Sequence, residues 1–167
     1  ANLVECMLKS ARSLEIGCCH LHLAKFDSFT DDELFTYIEK FRDDTIFAVT
    51  ELIRRGVSTA KLHEITKITE YFLIAIKSIV DMENKLKANV GNLDVLLESK
   101  KMGFGDKFIA KLWGMDETDV FNIRKENNMF PVYEMVDTCH TNAYIPYFYS
   151  TYSGENKSRL TDKKKLI

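Results

Sequence analysis

The sequence predicts an all-α fold, an irregular domain of about seven to eight helices followed by an extended aromatic segment. Apolar residues recur at helical spacing through most of the chain. The 167 residues include only 2 prolines and 7 glycines, too few for the many tight turns of a sandwich or barrel. Since 46% of the residues are hydrophobic, a chain of this length can form one core, and one domain is expected.

The first predicted helix runs from Leu3 to Ile16, with Gly17 as its left-handed C-terminal residue. Leu14 and Ile16 belong to its apolar stripe. The pattern begins almost at Ala1 without an evident capping residue, as expected of a boundary cut inside a longer protein.

The ends of the second and third helices are marked by capping residues. Thr30 and Glu33 form a capping box, in which each side chain accepts a backbone amide of the first turn, and this helix is expected to run to about Arg42. The third helix begins near Ile46 and ends at residues 54–56, where two arginines suit the negative helix end and a glycine supplies the stop.

A short fourth helix, capped by Ser58 or Thr59, is followed by a fifth helix with the clearest stripe in the chain. That stripe consists of Ile68, Phe72, Ile76, Ile79, Met82 and Leu86. Thr66 either separates the two helices or lies inside a continuous one, and the sequence leaves both interpretations open.

The second half of the chain changes to short helices separated by glycines. They are expected at Leu93–Lys101, Asp106–Trp113 and Asp116 to about Asn127, with Gly103, Gly105 and Gly114 between them. From Val132 to Tyr152 aromatic residues are dense but have no helical period, which predicts an extended segment packed over the helices.

The distribution of charge argues against a nucleic-acid partner. The net charge is -2, but residues 154–167 hold five basic and two acidic residues, or +3, which leaves -5 for residues 1–153. An acidic body repels phosphates, and the basic tail is expected to be a solvated linker. No apolar run reaches the roughly 18 residues that span a bilayer, and no signal peptide is evident, so we expect a cytoplasmic protein without a membrane partner.

No catalytic, cofactor-binding or metal site is predicted. Residues 18–22, Cys-Cys-His-Leu-His, contain the densest metal-ligating side chains, but their spacing fits no zinc motif. Cys139 beside His140 lacks an oxyanion loop, and residues 101–106 lack the Gly-Lys-Ser/Thr ending of a phosphate loop. The four cysteines have no paired spacing, so reduced thiols are expected.

Residues 107–125 have the order of a short helix, a glycine-containing turn and a second helix that is typical of helix-turn-helix DNA-binding motifs. The presumed recognition helix carries Asp116, Glu117, Asp119 and Glu126 against Arg124 and Lys125. That balance disfavours DNA binding. A helix-turn-helix domain and a stand-alone protein-interaction domain are kept as alternative functions.

Five segments, taken together and in order, are distinctive. They are Ser10–Gly17, Lys100–Leu112, Pro131–Tyr133, Val136–Cys139 and Pro146–Tyr152. They resemble the central helical part of the large chain of carbamoyl phosphate synthetase, where two ATP-grasp halves flank an all-helical oligomerisation domain. The resemblance implies that residues 1–17 end the preceding half, that 18–153 form the oligomerisation domain, and that 154–167 are a linker and the truncated start of the second half.

The same resemblance implies that this piece is not itself an enzyme and supplies oligomerisation and spacing. The whole enzyme of that family is a glutamine-hydrolysing, ATP-dependent ligase that makes carbamoyl phosphate from bicarbonate, ammonia and two ATP for arginine and pyrimidine biosynthesis. ATP and a divalent metal would bind to the parent enzyme and no cofactor to this piece. The implied partners are the flanking ATP-grasp halves, a sister large chain and a glutaminase small chain.

Phe35, Ile38 and Phe41 on the second helix are the predicted interface residues for a sister chain. The alternative is that they fill the core of their own chain, because apolar stripes of helices usually face inward. The aromatic segment near the end of the chain is open to the same two interpretations. Its members are Tyr133, Tyr144, Tyr147, Phe148, Tyr149 and Tyr152.

Overall fold

The computed structural model describes residues 2–136 and 147–158, and this part of the chain is mostly helical, as predicted. Its helices are α1 (Leu3–Ser13), α2 (Asp31–Ile38), α3 (Thr45–Arg54), α4 (Thr59–Thr66), α5 (Glu70–Ala88), α6 (Leu93–Lys101), α7 (Asp106–Trp113) and α8 (Glu117–Glu126), with a 3-10 turn at Ala24–Phe26. Two short strands, β1 (Val132–Met135) and β2 (Phe148–Thr151), pair antiparallel with Val132 opposite Thr151. No described helix is long and apolar enough to cross a membrane.

The predicted caps of α2 and α4 are confirmed. Glu33 N donates to Thr30 Oγ1 at 3.3 Å, and Thr30 N donates to the Glu33 carboxylate at 2.7 Å, so α2 begins with a complete capping box. Ser58 Oγ accepts from Lys61 N at 3.3 Å at the start of α4. These local hydrogen bonds fix where each helix begins.

The boundary between α4 and α5, which the sequence left open, falls at Thr66. The Thr66 hydroxyl donates to Leu62 O at 2.7 Å and accepts from Ile68 N at 3.2 Å. Lys67 adopts a left-handed φ of 58°. Because the chain turns here, Ile68 precedes α5, which starts at Glu70.

The prediction for α1 was right about its start at Leu3 but wrong about its end and about its cap. The helix ends before Leu14, and both Leu14 and Ile16 are exposed, at 53% and 54%. Glu15 takes a left-handed φ of 56° and turns the chain away from the core. At the other end, Asn2 Oδ1 accepts a first-turn backbone amide at 2.8 Å, so α1 has the side-chain cap that it was predicted to lack.

Two further predictions need correction, one on the end of α2 and one on the burial of Phe72. α2 ends at Ile38 rather than Arg42, because the chain reverses at Phe41, whose φ is 41°. Phe72, predicted to lie in the buried stripe of α5, is 45% exposed, whereas its neighbour Leu73 is fully buried. The first turn of α5 therefore leaves a large aromatic side chain at the surface.

One core joins the helices, and α5 is at its centre. α5 packs against α1, α3, α4, α6 and α7. The largest fully buried side chains are Phe26, Phe104, Leu8, Leu21, Leu34, Ile38, Leu52, Leu62, Leu73, Ile76, Ile79 and Leu86. Each such side chain contributes about 1.5–3 kcal/mol of transfer free energy relative to an exposed position. This packing determines which face each helix leaves for other contacts.

The described ends of the segment after α8 form the β1–β2 pair, and residues near the second strand contact the helices. Lys9 Nζ on α1 donates to Ser150 O at 2.8 Å, and Arg124 on α8 donates to the Tyr152 hydroxyl at 2.7 Å. Cys139, His140 and Tyr144 lie outside the described residues, as do residues 159–167 of the predicted linker and truncated second half.

Candidate protein interface

α2 presents a groove on its outer face. Leu34 and Ile38 face the core and have no exposed surface, whereas Asp32 and Thr36, four residues apart, share the opposite side. The groove has a volume of about 350 Å³. It is lined by Phe29, Asp32, Glu33, Thr36, Tyr37, Lys40 and Arg42.

The three predicted interface residues do not share one surface. Ile38 is fully buried and fills the core of its own chain, in agreement with the alternative interpretation. Phe35 is half-buried, with Lys61 Nζ 4.1 Å from its ring centroid. Phe41 is 62% exposed and is the member of the three that is free to meet another molecule. Its contact with a sister chain stays a prediction.

The exposure of Phe41 follows from the rigid turn between α2 and α3. Arg42 N donates to Thr45 Oγ1 at 2.8 Å, and the Tyr37 hydroxyl donates to Asp44 Oδ1 at 2.8 Å. The Arg42 guanidinium also lies 4.6 Å from the centroid of the Tyr37 ring, a cation–π distance. These contacts hold the chain on both sides of Phe41, so its side chain projects from an anchored turn.

The two ends of the groove carry opposite charges. Asp32 and Glu33 lie in the first turn of α2, and Lys40 and Arg42 follow its last turn. Glu33 is engaged in the capping box, where hydrogen bonds from Thr30 lower the pKa of its carboxyl group. Among the described residues, Asp32 and Lys40 are exposed and form no ion pair. Helical periodicity gave no signal for this polarity, because Asp32 and Lys40 lie outside the apolar stripe of the helix.

The side chains of residues 18–22 do not converge on one point. Cys18 Sγ donates to Ala11 O at 3.4 Å, and His22 Nε2 lies 2.8 Å from Asp27 Oδ1. His20 turns inward and stacks on Phe108, with ring centroids 3.7 Å apart. Within residues 2–136 and 147–158, no group of three or more His, Cys, Asp or Glu side chains is arranged to hold a metal. Cys6, Cys18 and Cys19 are free thiols.

His20 belongs to a buried charge cluster around Glu83. The Glu83 carboxylate accepts from Arg54 Nε and Nη2, both at 2.8 Å, and lies 2.9 Å from His20 Nε2. Burial opposes ionisation, but the hydrogen bonds from Arg54 and His20 outweigh it and lower the pKa of Glu83 to about 2. Burial lowers the pKa of His20 below its usual value. The imidazole is therefore neutral near pH 7 and donates from Nε2.

A second buried cluster surrounds Asp106. Its carboxylate accepts from Lys100 Nζ at 2.8 Å and from Arg124 Nε at 3.0 Å. Burial opposes ionisation of Asp106, but the bonds from Arg124 and Lys100 lower the pKa of this carboxyl group. Burial also lowers the pKa of the Lys100 ammonium. Lys100 and Asp106 lie in one of the five distinctive segments, Lys100–Leu112, so the cluster gives that segment a structural role.

This second cluster bears on the helix-turn-helix alternative. α7 and α8 do pack together, but Arg124 is only 7% exposed because it is bound to Asp106. Of the two basic side chains of α8, Lys125 remains at the surface. A phosphate backbone would meet mostly the carboxylates of that helix, so α8 has no basic face for DNA.

The aromatic segment near the end of the chain is partly exposed and partly packed. Tyr147 and Tyr149 are 70% and 52% exposed, whereas the Tyr152 ring lies 5.0 Å from Lys100 Nζ and 5.6 Å from the Arg124 guanidinium. Tyr152 therefore packs within its own chain, whereas an interface role for Tyr147 and Tyr149 stays a prediction.

Comparison with protein families agrees with this architecture. The pattern of the family described as carbamoyl-phosphate synthetase large chain, oligomerisation domain, matches residues 1–128. The match includes all eight described helices and ends shortly before β1. Because it covers well over half of the chain, the protein belongs to the family of carbamoyl phosphate synthetase large-chain oligomerisation domains.

Proposed function

We propose that this chain is the non-catalytic oligomerisation and spacer module of a carbamoyl phosphate synthetase large chain, and that its α2 surface contacts a second copy. One observation carries the assignment of the surface: Phe41 is 62% exposed on a turn held by hydrogen bonds, between Lys40 and Arg42, which line the groove. Aromatic side chains are enriched among the anchors of protein interfaces. In a chain of an oligomerisation family, a second copy is the natural partner.

The proposal extends to the parent enzyme. The parent enzyme would make carbamoyl phosphate from bicarbonate, glutamine-derived ammonia and two ATP, as an ATP-dependent ligase of cytoplasmic arginine and pyrimidine biosynthesis. ATP and the divalent metal would bind to the two flanking ATP-grasp halves, and a glutaminase small chain would supply ammonia. The membership of the chain in the family supports this assignment.

The spacer role is supported by the position of α1 relative to β2. Lys9 Nζ is 2.8 Å from Ser150 O, and Thr151 Oγ1 is 3.5 Å from Glu5 Oε2. The first helix and the last described strand therefore lie side by side. If the two flanking halves are connected to α1 and to β2, they attach on the same side of the module and are held close to each other.

The experiment is to measure self-association of the wild type and of Phe41→Glu by sedimentation equilibrium, with circular dichroism to follow helicity. The wild type is expected to associate reversibly. Phe41→Glu replaces an exposed aromatic side chain of the proposed contact with a charged one and should weaken association by about 2 kcal/mol, or roughly 30-fold, without changing the helix content.

Two controls make the result specific. Phe41→Leu keeps an apolar side chain at the same left-handed position and should still associate. Tyr71→Glu changes an aromatic residue of similar exposure, 65%, on α5 and should have no effect. A wild type that stays monomeric at every concentration would refute the proposed function, and an effect of Tyr71→Glu alone would move the interface to α5.

A further inference from the structure

We propose that Cys18 and Cys19 form a dithiol site for trivalent arsenic compounds, in which both sulfur atoms bind one arsenic atom that keeps a single organic substituent. The two residues lie in the loop between α1 and the 3-10 turn at Ala24–Phe26. Their cavity shares no residue with the groove beside α2. The inference is independent of the proposed function, because it concerns the chemistry of two thiols and not a contact between copies of the chain.

The two cysteines share one cavity at the surface. Both are partly buried free thiols, and both line a cavity of about 320 Å³. The residues that precede them, 13–17, are exposed, so the loop is open to solutes. Apolar side chains form part of the cavity wall, namely Ile16, Leu23, Ala24 and Phe108. The volume is roughly twice that of an engineered apolar cavity that binds benzene, so it has room for a phenyl group on arsenic.

The adjacency of the two cysteines favours a bridging atom over a direct disulfide. Consecutive Cα atoms are about 3.8 Å apart, whereas disulfides favour Cα separations of about 4.4–6.8 Å, so an S–S bond between neighbours is strained. An arsenic atom between the two sulfur atoms lengthens the bridge by one atom and relieves this strain. The loop is also adjustable, because residues 15–19 form no backbone-to-backbone hydrogen bonds within the described part of the chain.

The neighbouring histidines are engaged elsewhere, which leaves the two thiols as the ligands. His20 Nε2 lies 2.9 Å from Glu83 Oε1, and His22 Nε2 lies 2.8 Å from Asp27 Oδ1. No three His, Cys, Asp or Glu side chains of residues 2–136 and 147–158 form a metal-binding group, whereas structural zinc takes four ligands. A trivalent arsenic atom with one organic substituent completes its three bonds with two sulfur atoms, and thiolates are soft ligands that select soft partners.

The capture reaction exchanges hydroxyl groups for thiols and involves no oxidation or reduction. Burial raises the pKa of the Cys18 thiol, and the neighbouring Cys19 raises it further, so Cys18 is protonated near pH 7. In phenylarsonous acid, the arsenic atom carries two hydroxyl groups. Each thiol forms an As–S bond as one As–O bond breaks, and the thiol proton leaves with the hydroxyl group as water. Two water molecules are released, and arsenic stays trivalent.

The test treats the folded chain with phenylarsine oxide, which hydrates to phenylarsonous acid, in the presence of the monothiol mercaptoethanol. Intact-protein mass spectrometry should show one phenylarsenic group per chain, and the number of free thiols should fall by two. The dithiol dithiothreitol should remove the arsenic, whereas mercaptoethanol at the same thiol concentration should not. Circular dichroism shows that the chain remains helical during the reaction.

Serine variants identify the two sulfur ligands. Cys18→Ser and Cys19→Ser should each bind the arsenical more weakly by a factor on the order of 100, because the second As–S bond of the wild type forms within one molecule. Cys6→Ser is the matched control, since Cys6 is also a free thiol but lines different cavities. It should bind like the wild type, and so should Cys139→Ser. Cys18 Sγ donates to Ala11 O at 3.4 Å, and a serine hydroxyl keeps a donor there.

Three results would overturn the proposal. The first is a wild type that forms no adduct, or forms one only in urea, because the thiols would then be closed to ligands in the folded chain. The second is full binding by Cys18→Ser or Cys19→Ser, and the third is lost binding in Cys6→Ser or Cys139→Ser. If a variant at Cys18 or Cys19 does not fold, arsenic X-ray absorption of the Cys6→Ser/Cys139→Ser adduct decides. Two sulfur neighbours for each arsenic atom support the site, and one contradicts it.

Discussion

Glu83 and Asp106 are both buried carboxylates, but the charges around them differ. Glu83, 3% exposed at its side chain, faces one guanidinium, Arg54, and the neutral imidazole of His20, so its cluster is electrically balanced. Asp106, 12% exposed, faces both Lys100 and Arg124 and leaves one positive charge in excess. A buried charge is tolerated when it is paired and its remaining hydrogen bonds are satisfied.

The excess charge of the second cluster is accommodated by neutral oxygens. Lys100 Nζ donates to Phe104 O at 2.7 Å, and Arg124 Nη1 donates to Met129 O at 3.0 Å and to the Tyr152 hydroxyl at 2.7 Å. Met129 and Tyr152 lie beyond the family match, which ends at residue 128. The comparison shows that the balanced cluster joins helices of the domain, whereas the unbalanced one also binds the segment that follows it.

Of the variants that test this comparison, Asp106→Asn is expected to have the largest effect. The substitution leaves two buried cations without a carboxylate, and we expect the free energy of unfolding to fall by about 4 kcal/mol. Urea denaturation measures it. Glu98→Gln is the matched control, because Glu98 pairs with Lys85 at the surface and is 49% exposed, where a pair is worth less than about 1 kcal/mol. Equal losses in the two variants would contradict a special role for Asp106.

A somewhat smaller effect is expected from Glu83→Gln. Arg54 then loses its main partner but keeps Leu21 O at 2.7 Å and Glu51 at 3.3 Å, so the loss should be about 3 kcal/mol. The double variant Glu83→Gln/Arg54→Met removes the uncompensated charge and should recover part of that stability in the same urea measurement. A double variant less stable than Glu83→Gln alone would show that Arg54 acts mainly through packing and its backbone contacts.

The smallest effect is a pH dependence from His20. His20 is 1% exposed, and its Nδ1 has no hydrogen-bond partner among the described residues. The charged groups that face it are Glu83 on α5, Arg54 on α3 and Arg12 on α1. The folded-state pKa is lowered by burial, so below the unfolded value of about 6.5 the unfolded chain binds a proton that the folded chain rejects.

Stability is therefore fully present above about pH 6.5 and falls as the pH decreases below it, with a slope of at most about 1.4 kcal/mol per pH unit. Urea unfolding between about pH 7.5 and 5 isolates this effect, since unfolded carboxylates titrate near about 4.3. His20→Gln keeps a donor for Glu83 but cannot titrate, and its slope should be smaller than that of the wild type. Identical slopes in the two proteins would rule out His20 as the source.

Much of the fold was predictable because its signals are local. α6 and α7 were predicted at their observed residues, since glycines bound them on both sides, and the Thr30–Glu33 capping box lies within four residues. The predictions failed where a residue other than glycine turns left-handed, at Glu15 and at Phe41. Helical periodicity alone contains no signal for such a turn, so both helices were extended past it.

The candidate interface was only partly predictable for a similar reason. Phe35, Ile38 and Phe41 follow helical spacing, but α2 ends at Ile38, and the turn beyond it sends Phe41 to the surface while Ile38 stays in the core. Apolar character alone cannot distinguish these two positions. The groove beside Phe41 depends on Tyr37 and Arg42, whose contacts with Asp44 and Thr45 arise only after α3 is in place.

The sequence by itself determined that this protein is a helical domain of the carbamoyl phosphate synthetase large-chain family, because periodicity, caps and ordered motifs are properties of neighbouring residues. Only the tertiary structure decided which side chains are buried together. Arg124 is 18 residues from Asp106, and His20 is 63 residues from Glu83. Contacts over such separations form when the core packs the helices, and their geometry depends on the whole fold rather than on any local pattern.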